Sequence, residues 1–275
     1  MLTIALLTLR EVVRRRVLLV TVVLAAAFLA LYGTGVHYGY KDVVSHAGPM
    51  KTLIAAQFLA LGLYFGSFII AFLAIMAAVG SISGEIENGV IHAVVPRPVK
   101  RPAIVLGKFL GYGAILAAFA ALFYIAVLLI VRYNTGMDVP IKIGAIGLFC
   151  LQPLILLAVT LFGTTFLSTL ANGIIAFMLY SVGVVGGMLE QIGGIVKSAV
   201  LVNIGIVSSL VMPADSIYRK IVFTLLSSTG ASLSANMMGP FGSYSEPSVW
   251  MLVYAVAYVL VFLALALRIF SRRDI

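Results

Sequence analysis

Six stretches of this sequence run for sixteen or more residues with almost no charge: about 17–36, 53–79, 103–131, 143–170, 174–189 and 249–267. A helix of about 20 apolar residues crosses a hydrocarbon layer roughly 30 Å thick. Chains that fold in water cannot hide that many such runs. Here 63% of residues are hydrophobic and 10% charged, against about 25% charged in a soluble domain, and the mean hydropathy is +1.18. The runs are continuous, whereas barrel strands alternate over roughly ten residues. The expectation is an all-α integral membrane protein whose 275 residues form one transmembrane domain with six transmembrane helices.

In chain order, residues 1–16 read as a helix lying in the membrane surface, with Leu2, Leu6, Leu9 and Val13 on one face and Arg10, Glu11 and Arg14 on another. Arg14 to Arg16 ahead of the first run mimic a cleaved leader. The run is long and further spans follow, so it reads as a retained first transmembrane helix. A polar loop is expected over 37–52. Gly62 and Gly66 in the second span form a small-xxx-small pair suited to close helix approach. Residues 80–102 form a polar loop, and Pro102 suits the first turn of the third span. Pro153 predicts a kink in the fourth span, and Asn172-Gly173 predicts a tight turn before the fifth. Residues 190–247 hold two apolar pieces, about 199–212 and 220–227, each too short to cross alone. They read as re-entrant or surface-lying helices.

Six spans put both termini on one side. Of the lysines and arginines, 11 then fall on the terminal side and 7 on the other. The positive-inside bias places both termini in the cytoplasm of a cell whose inner (plasma) membrane the chain crosses. The net charge of +9 sits at the ends of apolar runs, which fits anionic lipid headgroups and not nucleic acid.

The inventory of reactive groups is thin. Cys150 lies in an apolar run and reads as a packing residue. His37, His46 and His92 are scattered without ligand spacing. There is no GxxxxGK[ST] sequence for a nucleotide. The spans as drawn hold almost no acids or bases, which argues against an ion-coupled pump and against a polytopic membrane enzyme. Their polar groups are amides and hydroxyls, among them Gln57, Ser67, Gln152, Thr160, Thr164, Thr165, Ser168 and Thr169. These serve hydrogen bonding between helices or, for Gln57, Thr164, Thr165 and Ser168, the lining of a path.

The segment from Gly80 to Gly111, GSISGEIENGVIHAVVPRPVKRPAIVLGKFLG, departs from a plain charged loop. Glu85 and Glu87 stand on the side that collects positive charge, followed by Gly89, a Pro96-Arg97-Pro98 turn, Lys100, Arg101 and Lys108. A short helix standing off the bilayer with exposed carboxylates is a docking knob for another protein.

These residues resemble the segment of ABC-2 type transporter permeases that reads E-x-E-x-G-T, an apolar stretch, R-P-x-x-R and then G-K. Glu85, Glu87, Gly89, Pro98, Arg101, Gly107 and Lys108 match it, and Val90 stands where Thr is common. Leu9-Arg10-Glu11 with Arg14 to Arg16, and the LSTLANG stretch, are similar to the same family. The resemblance implies a permease subunit paired with a second permease copy and served by two separate ABC ATPase subunits, which hold the ATP and Mg; the chain itself holds no cofactor and no catalytic or metal site. It implies that Ser83, Glu85, Glu87, Asn88 and Gly89 belong to a coupling helix seated on the ATPase. Arg97, Lys100, Arg101 and Lys108 would hold the loop against headgroups or the partner, and Gly183 and Gly187 would pack near the dimer axis. Export is the implied direction. The competing reading is a membrane anchor or assembly factor that recruits a soluble partner without transport.

Overall fold

The computed structural model describes residues 2–14, 16–47, 51–84, 101–227 and 247–272. Among them the regular structure is entirely helical: α1 (Leu2–Arg14), α2 (Arg16–Ala47), α3 (Lys51–Ala78), α4 (Arg101–Thr135), α5 (Ile143–Thr164), α6 (Thr169–Val196), α7 (Ala199–Val211), α8 (Ala214–Leu226) and α9 (Val249–Arg272). Six of these, α2 to α6 and α9, are long and apolar enough to cross a membrane.

The core lies along α3 and α5, whose buried faces bring Leu59, Leu63, Ile70, Leu73, Phe149, Ile155 and Leu157 together. Small residues set how closely the neighbours approach. A Cβ at Gly62 would lie 2.6 Å from Tyr32 of α2 and 2.9 Å from Val127 of α4, and one at Gly66 would overlap the Phe123 ring of α4. The small-xxx-small pair is therefore used inside the chain, where α2, α3 and α4 meet. Pro153 sits within a continuous α5.

Several boundaries differ from the sequence reading, each for a packing reason. α2 continues to Ala47 in place of a loop from 37, because it stays in contact with its neighbours: Gly39 packs on the Phe58 ring, and His37 Nδ1 lies 2.9 Å from Asn134 Oδ1 of α4. α4 ends at Thr135, where Gly136 takes a left-handed φ of 68° and its N–H bonds to the Arg132 carbonyl at 3.0 Å. The α5–α6 turn comes earlier than expected, at residues 165–168, and Asn172-Gly173 lies inside the first turns of α6. That pair makes a close helix crossing. The Asn172 amide donates to Thr160 O at 3.0 Å and to Val79 O at 3.3 Å, and it covers Gly163 so closely that a side chain there would displace it.

In α1, Leu6 lies away from the bundle contact, as a surface-lying helix leads one to expect. Thr8 and Val12 are buried, and Ala5 and Thr8 lie against Gly111 of α4, while Leu6 and Leu7 are exposed. Small residues suit a glycine contact, and the larger leucines are left outward as an interfacial helix requires.

α7 and α8 form a hairpin bent by 110° at Met212-Pro213. Thirteen residues of helix span about 20 Å, short of the roughly 30 Å core. α7 folds back along α6 until Met212 meets Gly183, 14 residues into the 28 of α6. α8 then returns to the end where α5 begins, with Lys142 Nζ on Thr224 O at 2.9 Å. The hairpin thus enters and leaves at one end of the bundle. α9 crosses to the other end, where Ala266 and Phe270 pack on Ile82 and Val105.

Replacing Gly66 with valine is expected to force α3 and α4 apart and to cost about 1–3 kcal/mol, as overpacked cores do. A thermal melt of the detergent-solubilised protein should show the midpoint falling, with no such fall for Gly147→Ala, where a Cβ meets open space.

Candidate functional site

Two polar constellations stand out in this apolar bundle. The first is at the end that holds α1 and the last turns of α9, where the 85–100 segment departs. The chain leaving α3 is held from three sides. The Lys108 ammonium of α4 donates to the Ser81 carbonyl, and Lys108 is only 4% exposed. Ser83 Oγ lies 2.9 Å from Thr169 Oγ1 at the start of α6, and Asn172 reaches Val79 O. Ile82 is fully buried among Val105 of α4 and Phe270 of α9. A helix ends with unsatisfied carbonyls, and here cationic and amide donors from neighbouring helices take them up. The end of α3 is in this way tied to α4, α6 and α9 within five residues, from Val79 to Ser83.

Glu85, Glu87, Asn88, Gly89, Arg97 and Lys100 lie outside the described residues, and Arg101 is the first residue of α4. Lys108 belongs to the buried joint and not to an exposed loop surface: it is 4% exposed and its ammonium ends on the Ser81 carbonyl. Of the residues considered for a path, Gln57 and Ser168 are exposed. Thr164 and Thr165 are buried, and their hydroxyls bond to Leu161 O and Phe162 O, both at 2.7 Å. Gly183 and Gly187 are occupied within the chain. Gly183 packs on Met212, and the Asp215 carboxylate lies directly over Gly187, in space that any side chain there would fill.

The second constellation overturns the expectation that the embedded parts hold almost no acids or bases. Arg219 of α8 is buried with Glu190 of α6 and Asp215 of α8. Its Nη1 lies 2.6 Å from Glu190 Oε1, and its Nε lies 3.1 Å from Asp215 Oδ2, an ion-pair contact without the alignment of a hydrogen bond. Nη2 donates to Ser209 Oγ of α7 at 3.0 Å and to Ser216 Oγ at 3.3 Å. One guanidinium therefore joins α6, α7 and α8. The side chains of Arg219, Asp215 and Glu190 are 4%, 7% and 17% exposed.

Around this knot, α8 is fixed to the core. Tyr218 donates to Ala60 O of α3 at 2.9 Å, and Gln152 of α5 donates to Ala214 O at 3.4 Å while accepting from Ser67 at 3.0 Å. The hydroxyls of Tyr254 and Tyr258 on α9 donate to Leu210 O and Val211 O, the last carbonyls of α7, at 2.5 and 2.8 Å. A cavity of about 280 Å³ lies between Glu190, Leu210, Ser216, Arg219 and Met251. The signal that would have found the knot is the Asp215/Arg219 pair, spaced i,i+4 between apolar pieces; reading that stretch as a half-polar outer loop hid it. Among the described residues no group of three or more His, Cys, Asp or Glu is placed to hold a metal ion.

Arg219→Ala leaves two buried carboxylates without their shared cation. It is expected to cost about 3–5 kcal/mol, and more than the nearly isosteric Glu190→Gln. Urea or thermal unfolding of the solubilised variants, followed by size-exclusion profile, checks the order.

Compared with known proteins, the chain matches the family model described as ABC-2 family transporter protein over residues 2–275. No curated protein matches it.

Proposed function

The chain belongs to the ABC-2 transporter family, and on that premise we propose that it is one of two permease subunits of an ATP-driven exporter, coupled to separate ATPase subunits through residues 80–102. Membership makes it a multi-pass membrane component of an ABC-type transporter, a class that works with ABC ATPases. The finer reading assigns each part a task. Glu85 to Gly89 dock on the ATPase, with Glu85 and Glu87 facing its basic or donor groups, whereas Ser83, buried and bonded to Thr169, belongs to the joint behind them. Arg97, Lys100 and Arg101 hold the loop against headgroups or the partner. ATP and Mg stay on the partner, both termini face the cytoplasm across the plasma membrane, and substrate passes between two permease copies.

The observation that carries this reading is the joint at the end of α3. A lever needs a rigid root, and the coupling segment departs one residue beyond Gly84 from a stretch bonded to α4, α6 and α9. Displacement there cannot be absorbed by a slack loop and passes to three helices. Lys108 matters to this reading as the residue that seals the root: burying an ammonium is costly unless it is hydrogen-bonded, so its bond to Ser81 O fixes α4 to the departing chain.

Glu85→Lys is expected to leave membrane insertion intact and to weaken docking of the ATPase by roughly thirtyfold or more, since losing one partner of a desolvated charge pair costs about 2–5 kcal/mol. Co-purification of the ATPase and permease-dependent ATP hydrolysis in proteoliposomes measure it. Wild-type hydrolysis and binding in that variant would remove Glu85 from the interface. Lys108→Met should behave differently, keeping the ATPase bound while lowering permease-dependent hydrolysis, because it loosens the root and leaves the knob.

A further inference from the structure

We infer that Glu190 and Arg219 are positioning residues of the transport cycle: a releasable charge latch between a moving α6–α7 unit and the α3–α5–α8 core. This rests on the transporter reading for its place in a cycle, and on geometry for the latch itself.

α6 and α7 behave as one piece because small residues join them along the whole of α7. A Cβ at Gly193 would lie 2.8 Å from Leu201, one at Gly205 would lie 2.7 Å from Gly186 O, and Gly183 and Gly186 meet Met212 and Ser208. The other face of α6, with Ile174, Phe177, Met178, Val182 and Val185, is exposed. α8 belongs to the core, fixed by Tyr218 to α3 and by Gln152 and Lys142 to α5. Between the two bodies lies the bend at Met212-Pro213. Across it, Arg219 holds Glu190 of α6 and Ser209 of α7.

The latch is built to open. Arg219 has a second carboxylate, Asp215, four residues back on its own helix, which stays with it when Glu190 leaves. Glu190 is the more exposed acid and borders the 280 Å³ cavity, whose lining sets the hydroxyls of Ser209, Ser216 and Ser248 among apolar Ile206, Leu210 and Met251, so that a carboxylate leaving Arg219 has hydrogen-bond donors beside it. Neither charge is left bare by release, unlike a simple buried pair. The two acids then have opposite effects on the equilibrium: Glu190 favours the closed latch, and Asp215 favours release.

The test uses spin-label distances in a Cys150→Ala background, with labels at exposed Val185 of α6, Val207 of α7 and Ile143 of α5. The permease in lipid nanodiscs without nucleotide is measured first. Glu190→Gln is expected to add a second, displaced Val207–Ile143 distance while Val185–Val207 stays single. In the complex with the ATPase, trapping with ATP and vanadate should shift Val207–Ile143 in the wild type, and Asp215→Asn should lose that shift. Both substitutions are nearly isosteric, and a single size-exclusion peak for each variant checks that it folds. If the two variants moved the distances the same way, or if Val185–Val207 changed on trapping, the latch would be overturned. Absence of any bound, hydrolysing ATPase would instead remove the transporter reading, with the nucleotide-free comparison still deciding whether the latch exists.

Discussion

Arg219 carries a positive charge into the interior of the bundle, where its side chain is 4% exposed, and the neighbouring elements are arranged around satisfying it. A guanidinium offers five donors in a fixed plane; in the structure they reach a carboxylate on α6 and hydroxyls on α7 and α8, with the Asp215 carboxylate of α8 beside them as a second ion-pair partner. That geometry is possible only if α7 and α8 both lie close to α6. Gly187 supplies the closeness, because the Asp215 carboxylate occupies the place of the side chain that glycine lacks. The bend at Met212-Pro213 follows from the same requirement: α7 must run along the glycine face of α6, whereas α8 must reach Ala60 and Gln152.

The coarse architecture was legible because it rests on composition. Long uncharged runs leave few solutions, and the six spans, the helical class and the bent pair between residues 190 and 247 follow from run length and charge. What escaped the sequence depends on contacts between distant segments. Asn172-Gly173 has the local chemistry of a turn, yet its amide is used to satisfy Thr160 and Val79 carbonyls and its glycine to admit Val79. Lys108 looks like a mouth-of-span cation and is a buried cap. In each case a small or polar residue was read by its local preference, and a partner from far along the chain set its use. The knot escaped for a related reason: Glu190 and Arg219 both fall in the 190–247 stretch outside the apolar pieces, and only the extension of α6 to Val196 and the fold-back of the hairpin bring them within 2.6 Å.

The magnitudes decide how the bundle divides when it is pushed. α7 is joined to α6 by continuous close packing, with no polar group to be exchanged for water until the helices part along their whole length. α6 is joined to the core by polar contacts near its ends, Ser83–Thr169 and Asn172–Val79 at one and Glu190–Arg219 towards the other, and between them by buried Ala176, Tyr180 and Val184, with the Tyr180 ring edge-on to Phe68 of α3 at 5.5 Å. A neutral hydrogen bond contributes about 0.5–1.5 kcal/mol net, and the two tyrosine bonds from α9 to the tip of α7 are of this kind. A buried ion pair is the stronger link when breaking it strands a charge, but Asp215 prevents that here. Parting α6–α7 from the core therefore breaks one ion pair, a few hydrogen bonds and the short Tyr180 contact, whereas parting α7 from α6 undoes glycine packing along the whole of α7. Thr169 and Asn172, at the start of α6, touch the chain that leads into residues 85–100. A push at that end therefore meets a helix already committed, through its glycines, to carrying the hairpin with it.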